Sequence, residues 1–274
     1  MKTLLAATTA LALIAAGGGA QAQSSGNWTG VYVGAQAGYG WAKNRKNETV
    51  VFDNNLDGKF NNQVSTAAGA NAFSPGFCGG DAKTNAPAGG CDRDDNGFEF
   101  GARIGYDYQI GNLVVGVVGE ATRTDQRDSV SAYSTTPAAY NFTRKLHAVG
   151  ALRLRGGYAF GDTLIYGTGG YAIADVRRTF ATTNTANTFG IKGGNNPDGY
   201  QLGGGIERKI APNVTMGLEY IYTRLSDNGY TVRAQGPVAA TNAFILVNAA
   251  GTDLRRSRDK FENQSVRLTA AYRF

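Results

Sequence analysis

Hydrophobic and polar residues alternate in eight separate stretches of this chain, and the last is the most regular. In 261–274, Glu262, Gln264, Val266, Leu268, Ala270, Tyr272 and Phe274 share one face. Phe261, Asn263, Ser265, Arg267, Thr269, Ala271 and Arg273 share the other. A period of two residues is that of a β-strand. One face is apolar and aromatic, whereas the other is small or polar and carries two Arg. A soluble sandwich would have to bury those Arg between its sheets, at a high desolvation cost. A strand standing between lipid and a polar lumen avoids that cost.

The remaining stretches repeat the pattern. In 29–41, Val31, Val33, Ala35, Ala37, Tyr39 and Trp41 oppose Tyr32, Gly34, Gln36, Gly38 and Gly40. In 98–109, Phe98, Phe100, Ala102, Ile104, Tyr106 and Tyr108 are expected outward, with Glu99, Gly101, Arg103, Gly105, Asp107 and Gln109 inward. Aromatics at both ends of the outward face match the two interfacial girdles of a membrane barrel. The stretch 113–122 places Glu120 inward. The stretch 146–160 places Leu146, Ala148, Leu152, Leu154, Tyr158 and Phe160 outward, with His147, Arg153 and Arg155 inward. Glycine-rich 164–176 leaves its facing open. Next, 200–208 puts Glu207 inward, and 214–223 puts Val214, Met216, Leu218, Tyr220 and Tyr222 outward with Glu219 inward.

Short and long connections take turns along the chain. Gly111-Asn112, Gly161-Asp162 and Ala211-Pro212-Asn213 are tight turns built from residues that tolerate positive φ. Between them lie long polar loops at about 42–97, 123–145, 177–199 and 224–260. An up-and-down barrel with both chain ends on one side needs four connections at one rim and three at the other. The chain therefore reads as all-β, an eight-stranded antiparallel up-and-down transmembrane β-barrel. Short turns then belong to the periplasm and long loops to the cell exterior.

Composition sharpens the compartment. Lys2, an apolar run over 4–16 broken only by Thr8 and Thr9, and Ala20-Gln21-Ala22 form a cleavable signal peptide over 1–22. The run is too short to span a bilayer as a helix, and no later stretch comes close to the length required. The barrel domain is then 23–274, with a charge of +5 from 26 basic minus 21 acidic residues once Lys2 is gone. Mean hydropathy is only −0.28, which suits strands that spend half their residues on a wet lumen. The basic residues are scattered and not striped with aromatics, so no nucleic-acid partner is expected.

Candidate chemistry begins in the lumen. Glu99, Asp107, Glu120, Glu207 and Glu219 share it with Arg103, Arg153, Arg155, Arg267 and Arg273. Equal numbers of acids and bases in an enclosed space should pair, and an eight-stranded interior is just wide enough for them to fill it. A plug bracing the wall is the first reading and a narrow channel for small solutes the second. Cys78 and Cys91 in the first loop read as a disulfide closing 14 residues, stabilising by about 3 kcal/mol. Two free thiols are the other reading. His147 is the sole histidine and has no companion that marks a catalytic triad, a zinc site or a haem site. No enzymatic activity, metal or cofactor is therefore expected. Asp53-x-Asn55-x-Asp57-Gly58 and Asp92-x-Asp94-x-Asn96-Gly97 lack the bidentate Glu of a calcium loop and read as Asx turns, with a surface cation site as the alternative. Arg255, Arg256, Arg258 and Lys260 form a basic cluster expected to contact lipopolysaccharide phosphates.

Four motifs carry a family resemblance. They are 27–34, beginning Asn27-Trp28-Thr29-Gly30, 164–172 around Tyr166-Gly167-Thr168-Gly169-Gly170-Tyr171, Leu218-Glu219-Tyr220-Ile221-Tyr222, and Tyr272-Arg273-Phe274. They resemble the small alphaproteobacterial outer-membrane immunogenic or porin-family proteins, which share the barrel of the OmpA transmembrane domain. The resemblance implies an outer-membrane location and assembly by the barrel-insertion machinery, with Tyr272 and Phe274 as the assembly signal. It also implies a role in envelope integrity or in loop-mediated adhesion to a host or cell-surface ligand. The first loop is longer than is usual in the family, and no counterpart of the peptidoglycan-binding domain of OmpA is expected.

Overall fold

Each of eight long strands finds an antiparallel neighbour on both sides, so the sheet closes on itself. The computed structural model describes residues 26–42, 48–194, 196–227 and 229–274; the expected signal peptide lies outside them. The barrel strands, numbered first to eighth in chain order, are Gly30–Ala42, Gly97–Ile110, Leu113–Thr124, Ala138–Phe160, Thr163–Thr182, Asp198–Ala211, Val214–Ser226 and Lys260–Arg273. Each pairs with the next, and the first closes against the eighth with Tyr32 opposite Arg273. Closure leaves no open sheet edge in this wall. At one end the turns at Gly111 and Gly161 each place the glycine at φ 61°, the conformation that a two-residue hairpin demands.

The two faces of the wall differ as lipid and lumen require. Outward residues include Leu152, Leu154, Ile165, Leu202, Leu218 and Leu268, all exposed. Aromatics bracket this band. Tyr158 with Phe160 and Tyr272 with Phe274 pack ring against ring near the turn end, centroids 4.7 and 5.0 Å apart. Tyr39 with Phe98 and Tyr200 with Tyr222 do so toward the loop end at 5.3 and 6.4 Å. The fifth strand points Leu164, Tyr166, Ala172, Ala174 and Val176 inward and Ile165, Tyr171 and Ile173 outward. Gly167 and Gly169 also stand on its outward side, which is why hydrophobicity alone left its facing open.

In the fourth strand the expected facing holds only as far as Val149. Asp175 pairs with Ala148 but Val176 pairs with Leu146, so His147 is the extra residue of a β-bulge. Leu146 and Val149 therefore both face the lumen and are buried. This corrects the outward placement of Leu146 and the inward placement of His147. A strict period of two has no way to register one added residue.

The long connections are not plain loops. The stretch 123–145 is largely strand. The third barrel strand runs to Thr124, Arg127–Ser134 follows, and the fourth begins at Ala138. Thr188–Lys192, Thr231–Gln235, Thr252–Arg256 and Val50–Asp53 form a four-stranded sheet of their own. Together these segments make a headpiece around Phe52, Phe73, Tyr140, Phe142, Phe244 and Leu254, all buried. Phe73 sits 4.3 Å from Phe52 and 5.4 Å from Tyr140, centroid to centroid. Each buried aromatic contributes about 1.5–3 kcal/mol, so the headpiece has a core of its own, which the upper end of the fourth barrel strand shares through Tyr140 and Phe142.

Candidate functional site

The lumen is filled by stacked layers, and glycines make the room. A Cβ at Gly105 would lie 2.4 Å from the Tyr32 ring, and one at Gly116 would lie 2.1 Å from the Asp107 carboxylate. Only a hydrogen at these inward positions lets an aromatic or ionic side chain cross so narrow a barrel.

Nearest the turn end, Asp107 and Glu207 meet Arg155 and Arg273. Arg273 pairs with Asp107 at 2.7 Å and with Glu207 at 3.4 Å, and Arg155 pairs with Glu207 at 2.8 Å. Arg155 Nη1 donates to the Tyr32 hydroxyl at 3.2 Å, and its guanidinium lies 4.0 Å from the Tyr166 ring centroid. Trp28, fully buried, is held below this layer by donating from Nε1 to the Gly161 carbonyl at 3.1 Å. The Arg273 guanidinium lies 5.1 Å from the Trp28 ring centroid.

A second layer follows toward the loop end, with Glu99, Glu120 and Glu219 against Arg103, Arg153 and Arg267. Arg103 reaches Glu219 at 2.7 Å, Arg153 reaches Glu120 at 2.6 Å and Glu219 at 3.4 Å, and Arg267 reaches Glu120 at 2.7 Å and also pairs with Glu99. The Tyr166 hydroxyl donates to Glu219 at 3.0 Å, and Arg103 Nε donates to Gln36 at 2.8 Å. Both layers are electrically balanced, and apart from Arg153 with Glu120 on the adjoining third and fourth strands, the pairs named here join strands that are not neighbours in the sheet. All ten sequence-derived lumen residues thus lie inside, between 0 and 7% exposed.

Above the ions comes an apolar layer of Leu146, Val149, Ala172, Ala174, Val176, Leu225 and Phe261. Above that, a neck of charges joins the barrel to the headpiece. Arg256 pairs with Glu48 at 2.7 Å and Asp128 at 2.9 Å, Arg144 pairs with Asp128 and with Asp227 at 3.3 Å, and Arg178 Nε donates to Asp227 at 2.6 Å. Burial pushes the Asp128 carboxyl up, but the Arg256 and Arg144 guanidiniums outweigh it and hold the group below the usual carboxylate range. Nearby Asp94 accepts from the Ser129 backbone N–H at 2.8 Å. Burial, then the Asp128 charge, push it up to about 6.

Sequence reading missed this neck because it treated 123–145 and 224–260 as loops. A signal was present: Val130 and Ala132, like Tyr140, Phe142 and Arg144, recur on alternate positions and are all buried. One member of the expected basic cluster, Arg256, is corrected here. Arg256 is buried in the neck and cannot reach lipopolysaccharide, Arg255 lies 4.0 Å from the Phe60 ring centroid, and Lys260 donates to Ser226 at 2.9 Å. Alternation within the headpiece strand Thr252–Arg256 splits adjacent arginines onto opposite faces.

Cys78 and Cys91 are joined in a disulfide, with Cα atoms 6.5 Å apart. The Asp53 carboxylate accepts from the Asp57 and Gly58 N–H groups at 3.2 and 2.8 Å, and Asp57 accepts from the Lys59 N–H at 2.8 Å, an Asx turn. Tyr272 and Phe274 sit exposed on the outer wall at the turn end.

A closed antiparallel wall, apolar and aromatic outside and ionic within, defines a transmembrane β-barrel of the outer-membrane type. The family model "Outer membrane protein beta-barrel domain" matches residues 8–274, and the chain belongs to that family. It is 29% identical over 201 residues to the 31 kDa outer-membrane immunogenic protein of Brucella melitensis, covering 73% of this chain and 72% of that one. It is 32% identical over 154 residues to the 22 kDa outer membrane protein of Rhizobium leguminosarum, covering 56% and 65%. Among solved structures, the outer membrane protein OprG from Pseudomonas aeruginosa aligns with a TM-score of 0.50 at 11% identity, over 90% of this chain and 97% of that one. At that identity the likeness is one of fold. The protein is thus an outer-membrane barrel.

Proposed function

We propose that the protein is a sealed structural barrel that carries a rigid headpiece on the outer surface of the cell, and not an open pore. One observation carries this reading: ten ionic side chains cross the lumen in two balanced layers, none more than 7% exposed. Opening a path for a solute would separate buried charges, at a cost of several kcal/mol per ion. The apolar layer of Leu146, Leu225 and Phe261 closes the same route a second time. Planar-bilayer recording of the purified protein tests the reading. Silence is expected, and a steady single-channel current would overturn it.

Orientation follows from connection length, with the short turns in the periplasm and the headpiece outside. The exposed aromatic pair at the chain's end, Tyr272 and Phe274, suits recognition by the barrel-assembly machinery. Lipopolysaccharide contact moves from the cluster at 255–260 to the outer wall. There Arg123 on the third strand stands opposite Phe100 and Arg224 on the seventh opposite Tyr200, with Arg177 on the fifth strand between them. Partners across a strand pair share a face, so Arg123 and Arg224 project outward beside the aromatic girdle, where guanidinium forks suit phosphates.

A further inference from the structure

A cleft of about 450 Å³ opens in the headpiece, within the ordinary size range of small-ligand sites, about 300–1,000 Å³. Its lining contains no Asp, Glu, Lys or Arg, although ion pairs such as Arg233 with Asp253 at 2.6 Å hold other parts of the headpiece. The buried rings of Phe73, Tyr140 and Phe244 back its floor, with Tyr140 5.7 Å from Phe244, and Ala67, Pro137, Ala186 and Ala243 add apolar surface to the lining. Its wall is a chain of amides. Asn184 Nδ2 donates to the Tyr140 hydroxyl at 2.9 Å and to Asn187 Oδ1 at 3.1 Å, and Asn187 and Asn242 exchange hydrogen bonds at 3.1 and 3.3 Å. Hydroxyls of Thr66, Thr185 and Thr241 complete the rim.

This lining discriminates by chemistry. An anion would find no cation to pair with, and a cation no carboxylate. A purely apolar ligand would cover amides and hydroxyls without replacing their bonds to water, at about 1–3 kcal/mol for each group left unsatisfied. A ligand with a ring of hydroxyls and one apolar face meets both demands, because amides and hydroxyls each donate and accept. The amides are already fixed through Tyr140 and through one another, which lowers the ordering cost of binding. We propose that the cleft is a binding site for an uncharged oligosaccharide. The site's use in contacting other surfaces rests on the outward orientation above; its affinity for sugar does not.

The test uses the full protein in nanodiscs, since maltoside or glucoside detergents would compete for the cleft. Saturation-transfer NMR is recorded with maltose, lactose, cellobiose and N,N′-diacetylchitobiose, with digalacturonate as the charged control. At least one neutral sugar should show transfer and the control none. Ala186→Trp and Ala67→Trp, which fill the cleft from two sides, should each lower the signal at least fivefold, and Val247→Ser, outside it, should leave it unchanged. Should a Trp variant misfold by heat-modified gel mobility, Thr241→Ala takes its place and should weaken binding severalfold. No transfer from any of the four sugars, equal binding in the variants, or preference for the charged control would overturn the site. A conducting barrel that still binds sugar would overturn only the sealed-lumen reading.

Discussion

Glu219 shows how much rests on a single lumen carboxylate. It accepts from Arg103, Arg153 and Tyr166 at once, so Glu219→Gln leaves two buried guanidiniums dependent on Glu120. The loss should be about 3–5 kcal/mol, read as a lower urea midpoint for the barrel in lipid vesicles. An unchanged midpoint would mean that the layer does not brace the wall. In the neck, Asp94 and Asp128 act with opposite signs. Asp94 has its folded pKa raised to about 6. Its favourable contribution is therefore complete below the unfolded value near 3.9 and is lost as pH rises through about 6. Asp94→Asn should accordingly stabilise the headpiece at pH 7.5 by roughly 1 kcal/mol, after allowance for the water that reaches the group, and give no gain at pH 3.5. Melting curves at the two pH values decide it. Asp128, held low, contributes fully above its unfolded value and loses that contribution as pH falls through its depressed one.

At the scale of the element, the bulge at His147 is the informative feature. Leu146 and Val149 already face the lumen on either side of it. Deleting His147 would restore plain alternation and leave every inward side chain in place. The deletion variant should fold, with heat-modified gel mobility like that of the parent. Deleting Leu152 should not be tolerated. It shifts one half of the strand against the other, so that either Arg153 and Arg155 or Leu146 and Val149 leave the lumen. An Arg at mid-bilayer on the lipid face costs about 2–4 kcal/mol. If both deletions behave alike, the bulge is not what sets the facing.

Across the whole molecule, apolar band, girdles, ion-filled lumen and headpiece are arranged along one axis, and the outer-wall arginines fall where band gives way to headpiece. Replacing Arg123, Arg177 and Arg224 together with Ala should cut the lipopolysaccharide that copurifies with the barrel severalfold. Replacing Arg255 and Arg258 should change it little. Equal effects would return lipopolysaccharide contact to the headpiece.

The eight barrel strands and their count were legible because lipid and lumen impose opposite demands on alternate residues, and that contrast is written locally. Phe98 to Tyr108 on one side and Glu99 to Asp107 on the other need no partner strand to be read. The ten lumen charges were legible for the same reason. Which acid meets which base was not: Arg103 and Glu219 are 116 residues apart, and closure of the sheet brings them together. The neck, the headpiece core and the neutral cleft were hidden more deeply. Apart from the alternation at Val130 to Arg144, their residues come from short stretches of four connections that show no period, and only the packing of those connections against one another makes them a surface. Alternation along the chain determined the barrel; the meeting of distant segments decided its pairings, its breaks in register and everything that stands above the membrane.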